Sequence, residues 1–124
     1  MHPATYWVIV FVPLYDATTG LVGRDFLASM KDGALLVNVS RGKVVDTQAL
    51  LEATSSGRIM AALDVTNPEP LPADHPLWQV PGVLISPHVG GVTSAFEPRA
   101  VALLREQLAA FAQERPVRNV VHVG

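Results

Sequence analysis

Four short apolar runs constrain the fold of this chain more than any other feature. They are Tyr6–Val12, Ala34–Val39, Met60–Val65 and Val83–Ser86. Two of the three intervals between them carry helical patterns. In Arg24–Met30 the residues Phe26, Leu27 and Met30 fall on one helical face, and Gly33 supplies a stop. Asp46 stands where an N-cap belongs for a helix over Thr47–Ser55, closed near Gly57. The third interval holds five prolines between Asn67 and Pro81 and reads as a stiff loop. After the last run, Ser94 and Glu97 have capping-box spacing and open a helix to about Gln113, with Pro98 expected to strain its first turn. The order is therefore β-α-β-α-β-loop-β-α. Alternating strands and helices predict an α/β fold with a parallel sheet and right-handed crossovers. The unbroken apolarity of Tyr6–Val12 predicts a strand buried on both faces.

Size and charge narrow the possible functions. With 124 residues, 49% of them hydrophobic, the chain can build a modest core and is not a disordered segment. A net charge of −2 without a basic block does not suit nucleic acid, which needs a clustered positive face. There are no cysteines, so disulfides and thiolate metal sites are excluded, and a reducing cytoplasm is the expected location. No His-rich or Asp-rich metal spacing is present. The longest apolar stretch, YWVIVFVPLY, is shorter than the roughly 20 residues that span a bilayer, so no membrane partner is expected. The preceding MHPAT lacks Lys and Arg, which speaks against a secretory signal.

In parallel α/β sheets, ligands bind outside the carboxyl ends of the strands. The notable polar residues follow those ends: Ser40 and Arg41 the second strand, Asp64 and Glu69 the third, His88 the fourth, with Pro13 after the first. Arg41 is either a surface charge or an anion clamp, since its fork matches a carboxylate. Gly42 beside it leaves room for close backbone approach to a ligand. His88 is either a satisfied strand-end histidine or a general acid/base. Glu69 is either a solvated loop charge or the carboxylate that orients the imidazole. Asp64 caps a turn or accepts from a ligand amide. Gly90 and Gly91 leave space for a flat ligand. His75 reads as a loop residue, and His2 and His122 receive no role.

These motifs resemble a family. VPLYDATTGLVGRDFLASMKDGALLVNVSRGKVVD, ALDVTNPEPLPADHPLW and VLISPHVGG stand in the order and spacing of the carboxyl-terminal part of D-isomer-specific 2-hydroxyacid dehydrogenases. The middle stretch is most similar to glyoxylate/hydroxypyruvate reductases. The resemblance implies that Arg41 binds the carboxylate and carbonyl of a 2-oxo acid. It implies that His88 protonates the forming alkoxide, that Glu69 pairs with His88, and that Asp64 holds the nicotinamide carboxamide. Val12, Pro13, Val39, Ser40, Gly90 and Gly91 would line the nicotinamide and its ribose. The implied reaction is NAD- or NADP-dependent reduction of a small 2-oxo acid such as glyoxylate or hydroxypyruvate, with a homodimer as the family habit.

The sequence contains no G-x-G-x-x-G fingerprint, which in such folds holds the pyrophosphate, and most of the family's substrate domain has no counterpart. The expectation is the second half of a Rossmann-type sheet over residues 1–93, followed by a helix and tail over 94–124 that return toward the substrate domain. A half-sheet exposes a bare parallel edge, at Tyr6–Val12 or a neighbour, and leaves helix faces meant for the other domain as an apolar patch. The isolated 124-residue chain should then bind a dinucleotide weakly and not turn over. Two alternatives stay open: an inactive truncated product, and a dinucleotide-sensing module similar to C-terminal-binding-protein corepressors. Peptide capture set against substrate-dependent NADH oxidation separates the corepressor reading from the enzyme.

Overall fold

Four parallel strands form one sheet in the order β1-β2-β3-β4. They are β1 (Trp7–Val10), β2 (Leu35–Asn38), β3 (Met60–Leu63) and β4 (Val83–Ile85). The structure, a computed structural model, describes residues 6–120; Met1–Thr5 with His2, and His122 in the tail, lie outside them. Helices α1 (Arg24–Ser29) and α2 (Thr47–Ser55) connect the first three strands, and α3 (Phe96–Ala112) follows β4. The chain divides into two units, Met1–Gly90 and Gly91–Gly124.

In the first unit, Val10, Asn38, Leu63 and Ile85 pair in one row, so all four strands end together. The expected rim is therefore real, and it follows from the register. On the same face Leu36, Ala61 and Leu63 pack against Leu27 and Leu50 from the two helices. Asp46 caps α2 as expected: its side chain accepts from the Ala49 amide at 3.0 Å. Gly57 ends that helix with φ of 71°, the left-handed residue that a helix terminus favours.

Several expectations need correction. β1 is not buried on both faces. It lies at the sheet edge, with Trp7 69% and Ile9 60% exposed, because α1 and α2 cover only the opposite face. The anticipated bare edge is thus present, and the apolar surface exposed beside it lies on the sheet face of β1. Phe26 does not join the core: it is 39% exposed, while Leu27 and Met30, three residues apart, turn inward. Arg58 closes α1 instead, donating to the Leu27 carbonyl at 2.5 Å and the Met30 carbonyl at 2.7 Å.

The role of Gly42 also changes. An added Cβ there would sit 1.8 Å from the Thr66 carbonyl oxygen and 2.1 Å from its carbon. The close approach is to the chain's own loop after β3, not to a ligand. Backbone cannot yield as a flexible side chain can, so any side chain at 42 displaces the proline-rich loop. That loop is otherwise fastened by Thr47, whose hydroxyl donates to the Asn67 carbonyl at 2.7 Å, and by buried Leu71 and Leu77. His75 is a loop residue, as read, and caps the 3-10 turn Pro76–Gln79 by accepting from the Leu77 amide.

In the second unit, the Ser94–Glu97 capping box does not form. The N-cap is Ala95, already in the right-handed helical region, and it makes no side-chain bond. Pro98 falls in the first turn, where amides lack intrahelical partners anyway, so it costs no hydrogen bond. Gln113 caps the helix end. The following tail folds back: Arg118 donates through its amide to Gln107 and pairs with Glu106 at 2.6 Å. Val101, Leu104, Leu108 and Phe111 are exposed along α3. Among the described residues, no helix is long and apolar enough to cross a membrane.

Candidate active site

A buried asparagine builds the turn that carries Arg41. Asn38, the last residue of β2, is 1% exposed. Its Oδ1 accepts from the Ser40 amide at 3.1 Å and the Ser40 hydroxyl at 2.9 Å, and its Nδ2 donates to the Arg41 carbonyl at 3.1 Å. Every polar atom of that side chain is used to fix residues 38–41. Sequence reasoning passed over Asn38, although an amide inside the apolar run LLVNV was the available signal. One guanidinium nitrogen of Arg41 donates to the Ser40 carbonyl at 2.7 Å, which leaves further donors of the fork open. Arg41 lines a cavity of about 570 Å³ with Phe11, Val12, Pro13, Leu14, Val39 and Ser40.

His88 and Glu69 meet at the next part of the rim. His88 Nδ1 lies 2.5 Å from Glu69 Oε1, and both side chains are partly exposed, 44% and 38%. A solvent-accessible pair of this kind adds little to stability, so its worth is in orienting the ring. With Nδ1 occupied by Glu69, Nε2 is the ring atom left to face a ligand. Both residues, with Asp64, Ser86 and Trp78, line a second cavity of about 420 Å³. The structure thus brings His88, Glu69 and Asp64 together, and places Arg41 in the neighbouring cavity on the same rim.

Asp64 follows β3 directly. Its Oδ1 accepts from the Ser86 hydroxyl at 2.6 Å and the Val89 amide at 3.0 Å; its Oδ2 accepts from the Gly90 amide at 2.8 Å. These bonds, led by Ser86 and followed by Gly90 and Val89, hold its carboxyl below the usual carboxylate range, with the nearby His88 charge a smaller contribution. An added Cβ at Gly90 would stand 2.9 Å from Asp64 Oδ2, so the space that glycine leaves there holds a carboxylate rather than a flat ligand. At Gly91 an added Cβ meets no heavy atom of the described residues within 4 Å. Among the described residues, no cluster of three His, Asp or Glu could hold a metal ion.

The depressed Asp64 carboxyl gives a pH dependence with a definite sign. A carboxylate with a lowered folded pKa stabilises the folded chain above its unfolded value of about 3.9. That contribution is lost as pH falls through the lower folded value. The urea midpoints of the natural chain and Asp64→Asn should therefore differ at pH 7 and converge toward pH 2. A gap that stays constant over that range contradicts the account.

Residues 2–90 match the family described as D-isomer specific 2-hydroxyacid dehydrogenase, NAD binding domain. The chain is 48% identical to glyoxylate/hydroxypyruvate reductase B of Pectobacterium atrosepticum, over 94% of this chain and 37% of that protein. It is 40% identical to human glyoxylate reductase/hydroxypyruvate reductase, over 90% of this chain and 34% of the relative. The fold superposes with a TM-score of 0.82 on a D-isomer specific 2-hydroxyacid dehydrogenase of Xanthobacter autotrophicus solved with NADPH and MES. That match has 40% identity and covers 94% of this chain and 48% of the other. The chain spans about a third of the length of the curated relatives that it matches.

Proposed function

The chain belongs to the D-isomer specific 2-hydroxyacid dehydrogenase family through its NAD-binding domain, and from that premise we propose that its rim serves NAD(P)H-dependent reduction of a small 2-oxo acid, of the glyoxylate or hydroxypyruvate class, to the D-2-hydroxy acid. The observation that carries this reading is the His88–Glu69 pair at 2.5 Å, which engages Nδ1 and leaves Nε2 as the ring nitrogen available to a ligand in the cavity that both residues line. Glu69, bonded to Nδ1, fixes the orientation of the ring. His88 then gives its Nε2 proton to the carbonyl oxygen as that oxygen gains charge, and takes it back in the reverse direction. Arg41 offers its free guanidinium donors to the substrate carboxylate and the adjacent carbonyl. Asn38 keeps the Arg41 backbone in place while this happens.

The cavity beside Arg41 fits the nicotinamide end of a dinucleotide. Its walls from Val12, Pro13 and Val39 are apolar and suit a flat ring, while Ser40 and Arg41 provide polar contacts. When bound, the reduced nicotinamide supplies the hydride. No glycine fingerprint in this sequence offers a cradle for the pyrophosphate, so the contacts here serve one end of the cofactor only. The same residues suit NADH and NADPH alike, which differ at the far ribose.

Saturation-transfer NMR on the 124-residue chain with NADH tests the reading. The nicotinamide protons should receive more saturation than the adenine protons, with weak affinity and no turnover of added glyoxylate. Saturation confined to the adenine, or none at millimolar NADH, overturns the site assignment. Steady-state glyoxylate reduction by the pure chain overturns the expectation that it is inactive alone.

A further inference from the structure

We infer that Asp64 and Ser86 are positioning residues that clamp the Ser86–Gly90 loop around one carboxylate and thereby hold His88 against Glu69. Calling His88 the proton donor rests on the proposed function; the clamp itself does not.

His88 adopts φ of 56°, a left-handed conformation that is rare for a residue with a side chain. Something must hold it there. Its own backbone makes a tight local bond, the His88 amide donating to the Ser86 carbonyl at 3.0 Å. The rest comes from Asp64. The carboxylate takes three donors, one from Ser86 before the histidine and two from Val89 and Gly90 after it. A carboxylate has about four acceptor positions, so the loop uses most of them. Donors from both sides of residue 88 converge on one anion, and the segment between is forced outward. Its imidazole then lies toward Glu69.

The anchor is rigid. The Asp64 amide donates to the Asn38 carbonyl at 3.0 Å, and the Ser86 amide donates to the Leu63 carbonyl at 2.8 Å, so both ends of the clamp continue the sheet. Gly90 is part of the same device, since a Cβ there would press on Asp64 Oδ2. Neutral amides cannot replace Asp64. Asparagine has one acceptor oxygen, and its NH₂ would face an N–H donor of the loop.

Three NMR observations on the free 124-residue chain test the clamp: the strong intraresidue amide–Hα cross-peak of a left-handed His88, the low-field proton of the short His88–Glu69 bond, and the exchange rate of the Gly90 amide. In Asp64→Asn the first two should vanish and Gly90 exchange should rise about tenfold, while the Leu36 and Leu63 amides stay protected. Ser86→Ala should raise exchange of the low-field proton about threefold, and Ser86→Thr, which keeps the hydroxyl, should restore it. Glu69→Gln should remove the low-field proton yet leave Gly90 unchanged. Persistence of the His88 cross-peak and the low-field proton in Asp64→Asn overturns the inference. Should Asp64→Asn fail to fold, an unaltered low-field proton in Ser86→Ala overturns it. None of these readouts involves a dinucleotide or a 2-oxo acid, so failure of the clamp and failure of the proposed reaction are separate results.

Discussion

Replacing His88 with glutamine should lower kcat by about 10²- to 10⁴-fold if His88 is the proposed general acid, the usual contribution of such a group. The assay needs a complete enzyme. A chimaera in which this chain replaces the matching 37% of the Pectobacterium atrosepticum reductase supplies one. Glutamine keeps the approximate length of the side chain and an amide able to face Glu69, but it has no proton to give. The loss should fall mainly on kcat, because substrate held through Arg41 keeps its ground-state contacts. Exposure of the pair argues that little folding energy is lost: His88 and Glu69 side chains are 44% and 38% exposed. Unchanged thermal unfolding beside the lost rate would separate chemistry from stability. A fall of less than tenfold would remove His88 from the acid/base role.

Arg41→Lys in the same chimaera should lower kcat/KM by roughly 10- to 150-fold, the loss of a charge-assisted hydrogen bond of about 1.5–3 kcal/mol. Lysine keeps the charge but not the planar fork, so the test addresses bidentate geometry rather than attraction alone. The turn should survive the change, because Asn38 grips the backbone carbonyl of residue 41 and not its side chain. KM should carry much of the effect, since carboxylate binding precedes the reaction. A KM within threefold of the parent contradicts the clamp.

The layout of this site was legible in the sequence because strand order fixes where a parallel sheet binds. The apolar runs gave four strands, and their shared register puts residues 38, 63 and 85 in one row. Asp46 as a cap was legible because an acidic N-cap before a helical run has few other uses. What escaped depended on tertiary contact. The apolar run at Tyr6–Val12 could not reveal that only one of its faces is covered. Gly42 and Gly90 were legible as close-approach positions, but not what approaches: the Thr66 backbone in one case, the Asp64 carboxylate in the other. The Ser94–Glu97 box failed by one position, a shift that spacing alone does not resolve. Asn38 and Ser86 went unread because a single polar residue at a strand end looks like an ordinary terminus until its partners are seen.

The central claim is that Arg41, Glu69 and His88 of this chain support reduction of a 2-oxo acid. The most direct measurement is oxidation of NADH, and separately NADPH, by the chimaera with glyoxylate or hydroxypyruvate. The account predicts steady-state turnover that requires the 2-oxo acid, and D-glycerate as the product from hydroxypyruvate. A folded chimaera that binds the dinucleotide yet leaves it unoxidised with either acid would contradict it.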